Sequence, residues 1–202
     1  MKIFSILKNN KSYCRYLLCI FATVLILFNS GCESLPSHSE GPDNPLDPSN
    51  PNNNIKGPAL VLSPVKLDVK SQSQFELELW IVETDPIAGI STNILFDPVK
   101  FRVEEVDSLI TGSESFLLGN GGRLIFISTF SNDTGYIKID CAIVEGEPRD
   151  VEGGGIISRI TFSHLSESTA SISLSSDSYL RNSQNEAVII NDLLNSDIII
   201  KN

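Results

Sequence analysis

The sequence predicts an all-β sandwich or barrel over residues 58–202. Two observations carry this reading. Short apolar segments, the clearest alternating with period two, follow one another from residue 58 to the end. Gly-, Asn-, Asp- and Pro-containing turn signals separate them, and no segment keeps a helical period for three turns. Many short strands punctuated in this way are the mark of an all-β sandwich or barrel.

The chain has 202 residues and a formal net charge of −10. Charge is unevenly placed. Residues 1–31 carry Lys2, Lys8, Lys11 and Arg15 and no acid; from Cys32 onward, 11 basic and 25 acidic residues give −14. So negative a body repels nucleic acid and anionic lipid, so no nucleic-acid partner is expected.

After the basic residues, 16–28 (YLLCIFATVLILF) are uninterruptedly apolar, and Ser30, Gly31 and Cys32 follow. A basic region, a short apolar core and small residues form a secretory signal layout. Thirteen residues fall short of the ~20 that a membrane span needs. The run Asn29-Ser30-Gly31-Cys32 resembles the lipobox of bacterial lipoproteins. That resemblance implies cleavage after Gly31 and a lipidated Cys32, with Asn29 standing where the pattern usually has Leu. The expected product is exported and lipid-anchored, facing the periplasm or the cell exterior.

Residues 32–57 hold the expected lipidated Cys and a tether: Pro36, Pro42, Pro45, Pro48 and Pro51 alternate with Asn, Asp and Ser. Few of these residues suit a core, so an extended spacer is expected. His38 reads as an exposed loop residue.

The domain, 58–202, opens with expected strands at Ala59–Leu62 and Val65–Lys70. Residues 74–82 alternate Phe75, Leu77, Leu79 and Ile81 with Gln74, Glu76, Glu78 and Trp80, a strand with one buried face. Further strands are expected at Ile90–Phe96, Phe101–Val106, Arg123–Phe130, Tyr136–Glu145, Gly155–His164, Ala170–Ser175 and Asp197–Lys201. Asp97-Pro98, Gly119–Gly122, Asn132–Gly135 and Gly153–Gly155 read as turns. Cys141, the one cysteine of the domain, lies in an alternating strand and reads as a buried small hydrophobe, so no disulfide framework holds the domain. A domain of this size can bury roughly 68% of its unfolded surface without one.

The stretch 62–106 is similar to the opening of cohesin domains. It has a long alternating strand, then a strand closing in Phe96-Asp97-Pro98, then an apolar strand with Phe101, Val103 and Val106. Gly153, Gly155, Ile160 and Phe162 resemble a later cohesin strand. Residues 171–188 resemble the penultimate strand with its polar turn, and 195–200 the closing strand. The resemblance implies a nine-stranded jelly-roll sandwich, related in fold to family-2 and family-3 carbohydrate-binding modules. It also implies a dockerin-bearing partner, typically an enzyme acting on polysaccharide, with calcium on the dockerin and no cofactor on this chain. Residues 191–197 lack the central Gly and the final Glu of a calcium loop and read as a turn. Where cohesins of the best-known type place Asn and Asp on their binding strand, this chain has Gly89 and Ser91. If strand parity holds, Ile90, Ile94 and Phe96 face in, while Ser91, Asn93 and Leu95 face out. The candidate contact surface is therefore Ser91, Asn93 and Leu95, joined by Ile125 and Ile127. The run Leu124–Ile127 is also what a buried strand looks like.

No catalytic or metal-binding residues are expected. His164 is the one His of the domain and reads as a surface or satisfied residue; with Cys141 it gives too few ligands for zinc. Nothing near it resembles a nucleophile elbow. Asp140, Glu145 and Glu147 could pair for glycoside cleavage, but so acidic a surface yields such pairs by chance. The Gly runs lack the phosphate-cradle spacing. The rival reading is a carbohydrate-binding lipoprotein. Trp80 is its possible sugar-stacking residue, although it reads better as a rim or packing residue, and Tyr136 and Tyr179 are the domain's other polar aromatics. A structural envelope protein without a soluble ligand is the third reading.

Overall fold

The computed structural model describes residues 55–201, apart from 112, 113, 119–121, 147 and 148. The signal segment, Cys32, His38 and all of the tether but its last three residues lie outside the described residues, as does Glu147.

Thirteen strands are present among the described residues. They are β1 (Ala59–Ser63), β2 (Lys66–Lys70), β3 (Gln74–Ile87), β4 (Gly89–Leu95), β5 (Phe101–Asp107), β6 (Arg123–Ser131), β7 (Tyr136–Glu145), β8 (Val151–His164), β9 (Ala170–Leu174), β10 (Tyr179–Arg181), β11 (Ala187–Val188), β12 (Asp192–Leu194) and β13 (Ser196–Lys201). One sheet runs β12-β1-β3-β8-β5. The other runs β11-β10-β4-β9-β13-β2, with β7 pairing β4 and β6 pairing β7.

The two sheets bury their inner faces against each other. Leu60, Leu62, Leu77, Leu79, Ile81 and Ile160 come from the first; Ile90, Ile94, Ile137, Ile139, Ile172 and Ile198 come from the second. Each such side chain contributes about 1.5–3 kcal/mol by leaving water, which makes this interior the dominant stabilising term in a domain without disulfides. At one end Phe162 stacks on Phe75 at 5.6 Å and meets Phe96 edge-on at 5.8 Å; Phe101 meets Phe75 edge-on at 5.9 Å. These are the offset and T-shaped arrangements that ring quadrupoles favour.

Turn chemistry explains the connections. After Phe96, the Asp97 side chain accepts the amide of Val99 at 2.9 Å, and its carbonyl accepts those of Lys100 and Phe101. The Asp-Pro pair thus turns β4 into β5. Between β6 and β7, Gly135 adopts φ +72°, and a Cβ there would collide with the Phe96 carbonyl oxygen.

Four expectations are corrected. Gly153–Gly155 do not form a hairpin turn but lie inside β8, which starts at Val151. They occupy an irregular stretch of the β3–β8 ladder where the register shifts repeatedly. There Gly153 takes φ +105°, and a Cβ on Gly155 would come within 2.9 Å of the Phe116 ring. β3 correspondingly runs past residue 82 to Ile87.

Residues 191–197 are a sheet crossing rather than a turn. β12 pairs parallel with β1, and β13 begins two residues after β12 ends, in the other sheet, antiparallel to β9 and parallel to β2. The Asn195 side chain bridges the step by accepting the Leu174 amide at 2.9 Å. The nine strands implied by the resemblance are supplemented by short segments, β10–β12, that carry too few residues for a period to show.

His164 is neither exposed nor satisfied. It is 1% exposed, both ring nitrogens lack a partner, and its ring lies 5.5 Å from that of Phe101. The end of β8 continues the inward parity of Ile160 and Phe162, and this carries the imidazole into the core.

Candidate functional site: the outer face of the β6–β7–β4 sheet

Strand pairing sets β6, β7 and β4 side by side and brings their outward residues into rows. Ile125 pairs with Ala142 and Ala142 with Gly89. Ile127 pairs with Asp140 and Asp140 with Ser91. Thr129 pairs with Lys138 and Lys138 with Asn93, and Tyr136 pairs with Leu95. On the far side of β4, β10 continues two of these rows, with Tyr179 beside Ser91 and Arg181 beside Gly89. Neighbouring strands lie about 4.8 Å apart, so each row is a contiguous surface.

The outward side chains are unusually apolar. Ile127 is 56% exposed, Ile125 48% and Leu95 45%, with Tyr136 and Tyr179 also exposed. The ambiguous run in β6 resolves by parity: Leu124 is buried and Phe126 partly buried, while Ile125 and Ile127 face solvent. Asn93 is half-buried. Ser91 departs from the expectation of an exposed contact, because it is 6% exposed. Its small side chain sits between Asp140 and Tyr179, and its hydroxyl donates to Asp140 Oδ1 at 2.6 Å. Ser91 therefore orients a carboxylate rather than offering itself. Lys138 Nζ lies 3.1 Å from the other oxygen of Asp140. The result is one held carboxylate among exposed aliphatic side chains.

Beside it runs a cleft of about 480 Å³, lined by Ser91, Ile125, Ile127, Asp140, Tyr179 and Arg181 among others. The segment joining β10 to β11 forms its wall. Ser183 donates from its amide and its hydroxyl to Asp150, both at 2.6 Å. Arg181 donates to the Asn185 carbonyl at 2.7 Å and lays its guanidinium 5.6 Å from the Tyr179 ring centroid. Asp140, Lys138, Tyr179 and Arg181 were not singled out from the sequence as contact residues. Asp140 and Lys138 were within reach of it, since they alternate with Ile137, Ile139 and Cys141 on β7. Tyr179 and Arg181 lie on a three-residue strand that carries no readable period.

The remaining candidates lie elsewhere. Trp80 belongs to the other sheet, is half-buried, and donates from its indole nitrogen to Glu78 at 2.9 Å. Glu78 also pairs with Arg159 at 3.1 Å. Tyr136 and Tyr179 belong to the β4 sheet, so the three polar aromatics do not share one platform. Glu145 is held by Arg123 at 2.7 Å. Cys141 is buried under the face, and burial pushes its thiol up to about 12. Among the described residues no group of three His, Cys, Asp or Glu side chains could hold a metal ion.

No family model matches the chain, and no curated protein does. Solved structures do. A type II cohesin domain from the cellulosome of Acetivibrio cellulolyticus is similar at a TM-score of 0.56 and 14% identity, over 69% of this chain and 92% of that one. A non-cellulosomal cohesin from the hyperthermophilic archaeon Archaeoglobus fulgidus gives 0.53 and 14%, over 71% and 91%. The type I cohesin–dockerin complex from Clostridium thermocellum gives 0.52 and 12%, over 71% and 98%. Residues 55–201 thus fold as a jelly-roll β-sandwich of the kind seen in cohesin modules.

Proposed function

We propose that this chain is a non-catalytic binding module of the cell surface, tethered through lipidated Cys32. It holds dockerin-bearing proteins, such as enzymes acting on polysaccharide, against the envelope. The observation that carries this reading is the outer face of β6, β7 and β4, where Leu95, Ile125 and Ile127 surround the oriented Asp140. Exposed aliphatic side chains clustered on one rigid sheet are what a partner's apolar face buries against. A fixed carboxylate in their midst supplies direction, because it rewards a hydroxyl or cation placed opposite it. The fold is one for which a complex with a dockerin is known in Clostridium thermocellum, which supports the choice of partner. Calcium belongs to that partner and none to this chain. The charge of −14 from Cys32 onward favours a partner whose contact surface is basic.

Two substitutions separate protein binding from sugar binding. Ile127→Asp places a charge at the centre of the face and should weaken capture of the partner by about 10-fold or more, the scale of losing one well-buried interface anchor. Trp80→Ala, on the other sheet, should leave that affinity unchanged. Titration calorimetry reads both. A chain whose polysaccharide binding disappears with Trp80→Ala, and whose protein binding ignores Ile127→Asp, contradicts the proposal.

A further inference from the structure

Five of the described strands lie at sheet ends: β2, β5, β6, β11 and β12. An open edge offers unpaired amides and carbonyls to any passing strand, and proteins commonly guard edges with charge, bulges or brevity. Four of the five follow that rule. β2 carries Lys66, Asp68 and Lys70; β5 carries Arg102, Glu104, Glu105 and Asp107 and a bulge. β11 has two residues and β12 three. β6 does not. It has nine residues, and Leu124–Ser131 contains neither a charge nor a proline. Its one irregularity is at the Arg123 end. Among the described residues, the backbone of 124–130 bonds only to β7. Phe130, turned inward by parity, is still 42% exposed at this edge.

We infer that the β6 edge is an association surface for a second copy of this chain, paired antiparallel about Ile127 so that the two sheets become one. The charge pattern selects this occupant. A body of charge −14 resists its own image in general, but the β6 edge is neutral from Leu124 to Ser131. Pairing about Ile127 sets Ile127 opposite its counterpart, Ile125 opposite Thr129, and Leu124 opposite Phe130, which covers that exposed ring. It also sets Arg123 opposite Ser131, beside the turn after β6 in which Asp133 of the second copy is exposed, at both ends of the two-fold pairing. Arg123, which holds Glu145 of its own chain at 2.7 Å, is itself 68% exposed, so each end of the pairing brings a base near an acid. The contact is isologous and closes as a dimer, so it does not propagate into a fibre. Two outer faces would then lie side by side on one sheet, independently of what those faces bind.

A register-specific crosslink tests this. The full chain, with Cys14, Cys19 and Cys32 changed to Ser, receives Ile127→Cys and is oxidised in mild detergent. Disulfides need Cα atoms within about 7 Å, a condition that only directly opposed positions meet. Ile127→Cys should give disulfide dimer several-fold above Val99→Cys, an exposed control on a loop. Ile125→Cys should stay at the control level alone and crosslink when mixed with Thr129→Cys. Sedimentation of the unmodified chain should show a dimer. Equal crosslinking at 99, 125 and 127, a monomer at every concentration, or crosslinks from residue 127 only to a different protein would overturn the inference.

Discussion

Cys141 and His164 show how one strand position fixes a side chain's chemistry. Cys141 points inward from β7 at 3% exposure, and desolvation of the thiolate pushes its thiol up to about 12. Since the thiolate is the reactive form, alkylation by iodoacetamide at pH 8 should be negligible in the native chain and rapid in denaturant. Quantitative labelling of residue 141 under native conditions would show that the thiol is accessible after all. His164 makes the opposite kind of statement. An imidazole with no partner for either nitrogen has given up its water without compensation, at a cost of about 1–3 kcal/mol. His164→Leu should therefore leave stability to urea unchanged or raise it by ~1 kcal/mol, despite the loss of ring contact with Phe101. A drop comparable to a core truncation would mean that the imidazole has a role in the core. The sequence disclosed the first residue and not the second. Cys141 sits in a strict alternation, so its parity is readable. His164 shares the parity of Ile160 and Phe162 in the expected strand Gly155–His164, but a polar side chain at a strand end reads as exposed or satisfied. It is the packing around it, with β5 pairing Phe101 beside it, that buries it.

At the scale of elements, parity was the reliable signal and turn composition the unreliable one. β7, and β3 over 74–82, read correctly because their polar and apolar residues alternate. The Asp97-Pro98 turn read correctly because its mechanism is local. The Gly153–Gly155 run did not, because glycines serve a tight turn and a close approach equally well. Which of the two applies depends on Phe116, almost forty residues away. Gly135 is the contrasting case of a turn glycine. Its positive φ and the nearby Phe96 carbonyl leave no room for a side chain, so Gly135→Ala should cost at least ~2 kcal/mol in chemical denaturation. A neutral substitution there would show that the β6–β7 hairpin can rearrange. The short strands β10–β12 were invisible because two or three residues hold no period, yet β10 and the segment joining it to β11 form the wall of the cleft.

For the whole molecule, the sandwich was legible from the spaced strands and turns of residues 58–202, whereas the contact face was legible only in part. Leu95 emerged from a parity argument, whereas Ile125 and Ile127 came from a run whose parity was ambiguous in the sequence; the structure places all three on one exposed surface. Ser91 was assigned to that surface as a contact and proves to be its support. The sequence showed the side on which Ser91 lies, but not the neighbours that cover it. The carboxylate it orients comes from a strand 49 residues further along, a proximity that only sheet pairing creates. The proposed contact face is therefore a surface assembled by sheet pairing. Its most direct test is capture from the native organism's secreted and envelope proteins by the immobilised full chain, in calcium and again in EDTA, with the retained proteins identified by mass spectrometry. The account predicts retention in calcium, and release in EDTA, of proteins carrying paired EF-hand-like loops. Retention of nothing, or of the same proteins with and without calcium, would contradict it.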